Sequence, residues 1–251
     1  MINDFMIGPF IVMYHSIADN SDEAYTVSVE AFREQISWLL GNGFEFVSLS
    51  FLLRSIQARN YSILRKKVVI TFDDGYKDFI INALPILLDR KVPATVFIVT
   101  DMLGGRSMWQ KSGTLTQLMT EDEVRYIKTQ GISLGSHTAT HTNLTLIDRE
   151  DVSYQLRVSH ERLTDLGETF YAFSYPWGQW SSQISSAVKA SGYECALTVV
   201  GEMLHCGTDI YCLPRLTMRA DLDPKSFQAL FDCPIVKRVK KVGHVFKKCF
   251  S

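Results

Sequence analysis

The 251-residue chain lacks the features that mark nucleic-acid-binding and disulfide-rich proteins. Its 26 basic and 27 acidic residues leave a formal net charge of −1, so no overall field favours nucleic acid as a partner. The five cysteines are scattered and include no CxxC pair. In a chain of this length, an odd and scattered set predicts reduced thiols instead of a disulfide framework.

The sequence also lacks segments that would direct it into or across a membrane. It contains no run of about 20 apolar residues, which a transmembrane helix would need. The first apolar stretch, from Phe5 to Tyr14, is short and is broken by Gly8 and Pro9. It follows Asp4, where a signal peptide would carry basic residues. We therefore expect the protein in the cytoplasm or at the cytoplasmic face of the membrane.

The last segment, residues 236–251, has no acidic residue. It carries six lysines and arginines among Val and Phe residues. One interpretation is a solvated or frayed terminus. The other is an amphipathic segment that makes peripheral contact with an anionic membrane or a glycolipid carrier. We predict one domain over residues 1–235, followed by this basic tail.

Strand-like and helix-like segments alternate along the rest of the chain, which is typical of an α/β fold with a largely parallel sheet. The pattern predicts strands over residues 10–14, 67–72, 93–99, 132–135, 170–174, 195–199 and 211–218, and helices over 29–42, 79–90, 120–130, 148–166, 181–191 and 223–231. About seven βα units indicate a distorted or incomplete (β/α) barrel, whose active site would lie at the C-terminal ends of the strands.

Two short motifs carry the residues for hydrolytic chemistry. Thr71–Gly75 reads TFDDG and places two adjacent carboxylates after an apolar strand, while His137–His141 reads HTATH and places two imidazoles four residues apart. That spacing puts both rings on one side of a helical turn, close enough to share a metal. One carboxylate can then bind the metal and the other can accept a proton from water. The alternative for the Asp pair is a simple turn or helix cap.

The TFDDG motif, followed downstream by SHTATH and NLT, resembles the polysaccharide deacetylases of carbohydrate esterase family 4 over about residues 10–231. The resemblance implies metal-dependent hydrolysis of N-acetyl, sometimes O-acetyl, groups on sugars. It implies Asp73 as general base, Asp74, His137 and His141 as ligands of one divalent metal ion, and Thr138 as a hydroxyl residue beside the site. Zinc suits this ligand set best, although cobalt, nickel or ferrous iron would also fit.

The third family motif, Arg-Pro-Pro-Tyr-Gly, is matched by the stretch SYPWG at residues 174–178. Tyr175, Pro176 and Trp177 would then contact the substrate, with the Trp177 backbone N–H as an oxyanion donor. By the same resemblance, Leu144 would line the acetyl pocket. Ser174 replaces the arginine that tethers the catalytic Asp in the family. Arg215 is the proposed substitute, and an ordinary surface salt bridge is its alternative.

No C-terminal Leu-x-His motif supplies the family's general acid. Instead, Tyr14 and His15 resemble the opening of the branch that deacetylates poly-N-acetylglucosamine, where the barrel strands are permuted. His15 is therefore the candidate acid that protonates the leaving amine, and a buried structural histidine is the alternative. Trp109 is interpreted as a core or rim residue, with stacking on a sugar ring as the alternative.

These observations favour an enzyme that removes N-acetyl groups from amino sugars of a polysaccharide or glycan intermediate and releases acetate. A second hypothesis is a deformylase or deacetylase of a lipid-linked or nucleotide-linked sugar at the cytoplasmic side. A third is an inactive barrel that only binds carbohydrate. In each case the expected partner is a carbohydrate and not a nucleic acid.

Overall fold

The computed structural model describes residues 9–19, 23–110, 116–201, 204–205 and 207–232. The basic tail over residues 236–251 and the domain boundary before it lie outside these residues. The strands are β1 (Phe10–Tyr14), β2 (Ser16–Ile17), β3 (Thr26–Val27), β4 (Glu45–Phe46), β5 (Lys67–Phe72), β6 (Ala94–Ile98), β7 (Ser133–Ser136), β8 (Ala172–Ser174), β9 (Cys195–Leu197) and β10 (Leu216–Thr217). The helices are α1 (Val29–Gly41), α2 (Leu49–Gln57), α3 (Leu84–Asp89), α4 (Glu121–Thr129), α5 (Arg149–Asp165), α6 (Ser182–Ala190) and α7 (Pro224–Asp232).

Seven parallel strands form the central sheet in the order β10-β1-β5-β6-β7-β8-β9, and β4 pairs with the start of β5. Leu213, just before β10, makes a parallel bridge to Leu197 of β9. The segment that includes β10 therefore pairs with β1 and also contacts β9, the strand at the other end of the order. The prediction of an α/β fold with a distorted (β/α) barrel of about seven parallel strands is confirmed.

The two faces of the barrel strands bury different parts of the core, as the two-residue period of a strand requires. Val68 and Ile70 of β5 pack with the surrounding helices. Val69, between them, packs instead with Ile11 and Phe97 in a second cluster, which also includes apolar residues of α2. Since Thr71 and Asp73 continue the alternation of Val69, the same face of β5 leads toward the site.

Several helix starts follow from capping residues in the sequence. The Ser28 side chain accepts a hydrogen bond from the Ala31 N–H at the start of α1. Thr120 and Glu123 form a capping box at the start of α4, as their spacing predicts. The predicted strands over residues 10–14 and 67–72 have the same bounds in the structure.

Other elements differ from the predictions for local reasons. The predicted helix over residues 79–90 begins as a π-helix, Phe79–Ala83, in which the Leu84 N–H reaches the Phe79 carbonyl five residues back. Pro85 follows at once and has no N–H to give to a regular helix. The predicted strand over residues 211–218 is reduced to two residues, because Pro214 also lacks a donor for a ladder. The sequence predictions placed no element over α2, although its buried leucines recur at helical spacing.

None of the helices within the described residues combines the length and apolar composition that a membrane span would need. The last of them, α7, carries Phe231, whose ring lies 4.9 Å from that of Phe10 at the start of β1. Helix α7 therefore ends at the end of the barrel opposite to the C-terminal ends of the strands.

The short strand β2 is held by polar contacts from the π-helical segment and the residue before it. Ser16 Oγ donates to Asp78 Oδ2 at 2.6 Å, and the Ile17 N–H donates to Asp78 Oδ1 at 3.3 Å. Asn82 Nδ2 donates to the Ile17 carbonyl at 2.7 Å. Burial raises the pKa of Asp78 to about 6, although the hydrogen bonds from Ser16 and Ile17 oppose the shift. These contacts fix the strand that directly follows His15.

We expect Asp78→Asn to change how stability depends on pH. A carboxyl group whose pKa is higher in the folded than in the unfolded protein stabilises the folded state. This stabilisation is complete at pH values below the pKa of the unfolded state, and it is lost as pH rises through about 6. Relative to wild type, the variant should therefore gain up to about 3 kcal/mol in the free energy of unfolding between pH 4 and pH 7. Urea unfolding at both pH values measures this gain. Glu34→Gln, at an exposed position of α1, is the control, and an equal difference at both pH values would contradict the expectation.

Candidate active site

The side chains predicted to act in catalysis and metal binding gather at the C-terminal end of the barrel. They follow or flank five different strands, namely His15 after β1, Asp73 and Asp74 after β5, His137 and His141 after β7, the segment 175–178 after β8, and Arg215 before β10. This is the end at which the βα loops of a barrel meet. The strand order therefore brings Arg215 to Asp73, 142 positions away in sequence.

Asp74, His137 and His141 form a buried cluster that could hold a metal ion, with one ligand atom from each residue and all three atoms within 4.8 Å of one another. Asp74 Oδ1 lies 3.4 Å from His137 Nε2 and 3.3 Å from His141 Nε2. Zinc bonds of about 2.1 Å in a tetrahedral site would place neighbouring ligand atoms about 3.4 Å apart. Asp74 Oδ1 is buried without a hydrogen-bond partner among the described residues. The donor set therefore fits a divalent ion.

Charge and hydrogen bonding favour an ionised Asp74. Burial alone would raise the pKa of Asp74, but the neighbouring imidazoles of His137 and His141 hold it well below its usual range. His137 Nδ1 lies 2.8 Å from the Ser174 carbonyl oxygen and therefore donates its proton there. Its Nε2 is left with a lone pair on the side of Asp74, as a metal ligand requires.

The backbone around this cluster is strained. Asp74, Thr138, His141 and Trp177 have φ angles of 72°, 66°, 59° and 61°, in the left-handed region that residues other than glycine seldom adopt. Such conformations cost about 1–3 kcal/mol each and persist only where the surrounding structure holds them. The HTATH segment is therefore a loop and not the helical turn that its spacing suggested, although the two imidazoles do meet, with ring centroids 4.8 Å apart.

Contacts from two neighbouring elements hold this loop. The carbonyls of Thr138 and Ala139 accept hydrogen bonds from the backbone N–H groups of Thr100 and Asp101, after β6. On the other side, Gln155 Oε1 of α5 accepts from the N–H groups of Ala139 and Thr140 at 3.0 and 3.1 Å. Gln155 was not among the predicted site residues, because nothing in its sequence context marks it as more than a core position.

Arg215 forms a buried, two-pronged ion pair with Asp73. The two terminal nitrogens of Arg215 each lie 2.7 Å from one of the Asp73 carboxylate oxygens, and the arginine has no exposed surface. The predicted contact is present, and the alternative of a surface salt bridge is wrong. Burial alone would raise the pKa of Asp73, but the Arg215 guanidinium holds it below its usual range. Asp73 is therefore ionised and oriented.

Ser174, which replaces the family's arginine, belongs to the same network. Its hydroxyl donates to Asp73 Oδ2 at 3.0 Å and accepts from Arg215 at 2.8 Å. A small residue at this position leaves room for the guanidinium that arrives from β10. The substitution and the ion pair are therefore two parts of one arrangement.

His15 lies at the same end of the barrel, with its Nδ1 buried and without a hydrogen-bond partner among the described residues. Its ring packs against Tyr25, with centroids 5.0 Å apart. Burial lowers the pKa of His15, and the negative charges of Asp74 and Asp73 oppose that shift. A lowered pKa makes the protonated imidazole a stronger acid.

The predicted substrate-binding residues differ in how far their side chains are exposed. Trp177 is 47% exposed, and its ring meets the His141 ring edge-on at 5.0 Å. Thr138 is buried, with no hydrogen-bond partner for its hydroxyl among the described residues. Pro176, Tyr175 and Leu144 are also buried, and the Tyr175 hydroxyl donates to the Tyr211 carbonyl. Of these side chains, only that of Trp177 offers a substrate a large exposed surface.

Trp109 lies against the cluster, which its sequence context did not predict. Its ring stacks on His141 with centroids 4.1 Å apart, and its Nε1 donates to Asp74 Oδ2 at 3.1 Å. The one signal that could have identified it is its position in the loop after β6, the strand next to β5. This position predicts that Trp109 lies near the site, but it does not predict which residues Trp109 contacts.

Arg215→Met should strongly destabilise the protein, because it leaves the Asp73 carboxylate buried without its partner. We expect a loss of about 3–5 kcal/mol in the free energy of unfolding. Adding Asp73→Asn to the same chain should restore part of that loss, since the neutral side chain no longer needs the cation. Arg157→Met, which removes an exposed ion pair with Glu161, should change stability by less than about 1 kcal/mol. A loss no larger than this control in denaturant unfolding would refute the role given to Arg215.

Taken together, the fold and the cluster define a (β/α)-barrel protein with a candidate mononuclear metal site and a separate ionised carboxylate beside it. The family model of the polysaccharide deacetylases matches residues 62–196. That match covers more than half of the chain, so the chain belongs to the polysaccharide deacetylase family, as its motifs indicated. The family supports a hydrolase that acts on N-acetyl groups of polysaccharides.

Among curated proteins, the chain is 26% identical over 224 residues to YxkH of Bacillus subtilis, which is named only provisionally as a polysaccharide deacetylase. The match covers 88% of this chain and 75% of that protein. The chain is also 23% identical over 207 residues to poly-β-1,6-N-acetyl-D-glucosamine N-deacetylase of Staphylococcus aureus, covering 78% of this chain and 69% of that protein.

Solved structures share the fold. Deacetylase PplD of Streptococcus pyogenes, solved in complex with acetate, has a TM-score of 0.78 at 22% identity and covers 91% of this chain and 100% of that one. IcaB of Ammonifex degensii has a TM-score of 0.75 at 21% identity, covering 88% of this chain and 94% of that one. At such identities these similarities establish the barrel architecture alone.

Proposed function

We propose that the protein is a metal-dependent N-deacetylase that hydrolyses the acetamide of amino sugars in a polysaccharide or glycan intermediate. One observation carries the proposal. Asp74, His137 and His141 leave a shared space for a cation, while Asp73 next to them is ionised and bound to Arg215. The three donors suit zinc, although cobalt, nickel or iron would also fit. When bound, the ion would activate water and polarise the acetamide carbonyl.

Asp73 is the proposed general base. Its carboxylate is held by Arg215 and Ser174, so its position does not depend on the metal. It can therefore accept the proton of the attacking water while Asp74 remains a ligand. Because the guanidinium stabilises the charged form, Asp73 is available as a base at neutral pH.

Trp177 and His15 complete the proposed machinery. The ring of Trp177 meets that of His141. This contact supports a position of the β8 loop beside the cluster, from which the Trp177 backbone N–H would stabilise the developing oxyanion. His15, within electrostatic reach of both aspartates, would protonate the departing amine. The products would be acetate and a free amino sugar.

The name of the Staphylococcus aureus relative supports a β-1,6-linked N-acetylglucosamine polymer as the first substrate to test. No contact among the described residues favours the alternative of a lipid-linked or nucleotide-linked sugar, or of a formyl group, and those hypotheses remain predictions. An inactive carbohydrate-binding barrel would have no use for an oriented base beside a complete ligand set.

Substitutions in the two aspartates should separate metal binding from catalysis. Asp74→Ala and His137→Ala should abolish both bound zinc and acetate release, because each removes a ligand. Asp73→Asn should retain zinc but lower turnover by at least about 100-fold, since it removes the base. Elemental analysis of the purified variants and acetate release from N-acetylglucosamine oligomers measure the two effects. Asp122→Asn, on an exposed turn of α4, serves as the control. Near-normal turnover by Asp73→Asn would show that the base lies elsewhere.

His15→Gln should lower turnover of an amide substrate by about 100-fold without loss of zinc, because an amine must be protonated as it leaves. An aryl acetate carries a leaving group that departs without a proton, so its hydrolysis should be much less affected. Parallel assays of both substrates provide the measurement. An equal loss on amide and aryl ester would exclude His15 as the acid.

A further inference from the structure

The two imidazoles of the cluster are held in different ways. His137 donates from Nδ1 to the Ser174 carbonyl, and this hydrogen bond sets both its tautomer and its ring orientation. His141 has a buried Nδ1 with no hydrogen-bond partner among the described residues. Metal-binding histidines almost always donate their second N–H to a fixed acceptor. Some other contact must therefore orient the His141 ring.

Trp109 makes that contact. Its indole lies nearly parallel to the His141 ring, at a centroid distance of 4.1 Å and an angle of 18°. Trp177 meets the His141 ring edge-on, at 5.0 Å and 65°. Rotation of the imidazole about its bond to Cβ would push the ring into one of these neighbours. Stacking thus restrains His141 as a hydrogen bond restrains His137.

The same indole also orients the carboxylate ligand. Trp109 Nε1 donates to Asp74 Oδ2 at 3.1 Å, while the other oxygen, Oδ1, is the atom that lies 3.3–3.4 Å from the two histidine Nε2 atoms. A carboxylate with one oxygen held in this way presents only the other to a cation. One side chain therefore contacts two of the three ligands.

We propose that Trp109 is a positioning residue that sets the affinity of this site for its metal ion. The proposal rests on the proposed metal-dependent function. Trp109 restrains His141 through its ring face and Asp74 through its N–H, so the ligands need less reorganisation when an ion binds. Loss of such outer contacts typically weakens metal binding about 10–100-fold.

Two substitutions separate the two contacts. Trp109→Phe keeps an aromatic face for His141 and removes the N–H, so its zinc dissociation constant should rise about 10-fold. Trp109→Leu removes both contacts, and the constant should rise about 100-fold. Trp180→Phe is the matched control, because it makes the same change in a half-exposed indole whose ring neighbour is Tyr175. Its zinc affinity should equal that of wild type.

The dissociation constants are measured on metal-free protein by competition with a chelating dye, and the cobalt absorption spectrum reports the ligand geometry independently. Thermal unfolding of the metal-free proteins shows whether each variant is folded. At saturating zinc, Trp109→Phe should recover most of its turnover, which a general loss of structure would not allow. If Trp109→Leu does not fold, Trp109→Phe decides the question.

Zinc affinities and cobalt spectra that equal those of wild type for both Trp109→Phe and Trp109→Leu would overturn the role of Trp109 and leave the proposed function intact. A wild-type protein that binds neither zinc nor cobalt would overturn the proposed function, and the positioning role with it. The measurements therefore distinguish the two failures.

Discussion

The buried ion pair between Arg215 and Asp73 is the interaction on which the site depends. Arg215 spans the end of the barrel and donates to Asp73, Thr71, Ser174 and the Thr198 carbonyl, so that all five of its N–H donors have acceptors. It thereby ties residues at the ends of β5, β8 and β9 to the segment before β10. A charge pair without exposed surface is costly unless it is fully hydrogen-bonded, and this requirement fixes where Asp73 stands relative to the ligand cluster.

Much of the fold and half of the site could be predicted from sequence, because the relevant signals are local. The continuous apolar runs of β1 and β5 predict buried strands, and the capping residues Ser28 and Thr120 predict helix starts. The two aspartates and two histidines were identified as a group because their spacing in two motifs is itself a chemical pattern. The pairing of Arg215 with Asp73 was reached only because a family residue was missing and had to be replaced.

The remainder depends on contacts between distant segments, which residue types do not reveal. Trp109 lies 35 positions from Asp74, and Gln155 reads as one more residue of an amphipathic helix. The left-handed backbone at Thr138 and His141 is invisible in sequence, since neither is glycine. For the same reason, four-residue spacing gave the right neighbours and the wrong local conformation. The two-residue strands β2, β3, β4 and β10 are too short for any periodicity to show.

Left-handed backbone conformations are concentrated around the cluster. They cost the fold conformational energy, while they hold the donors of the site in position. At Thr138, glycine would adopt the observed backbone at lower energy than threonine does, yet it would also free the loop that holds two ligands together. Substitutions that relax these loops would relieve backbone strain while they loosen the arrangement of the donors. The strain in these loops is therefore part of what keeps the donors in place, although the barrel itself does not depend on it.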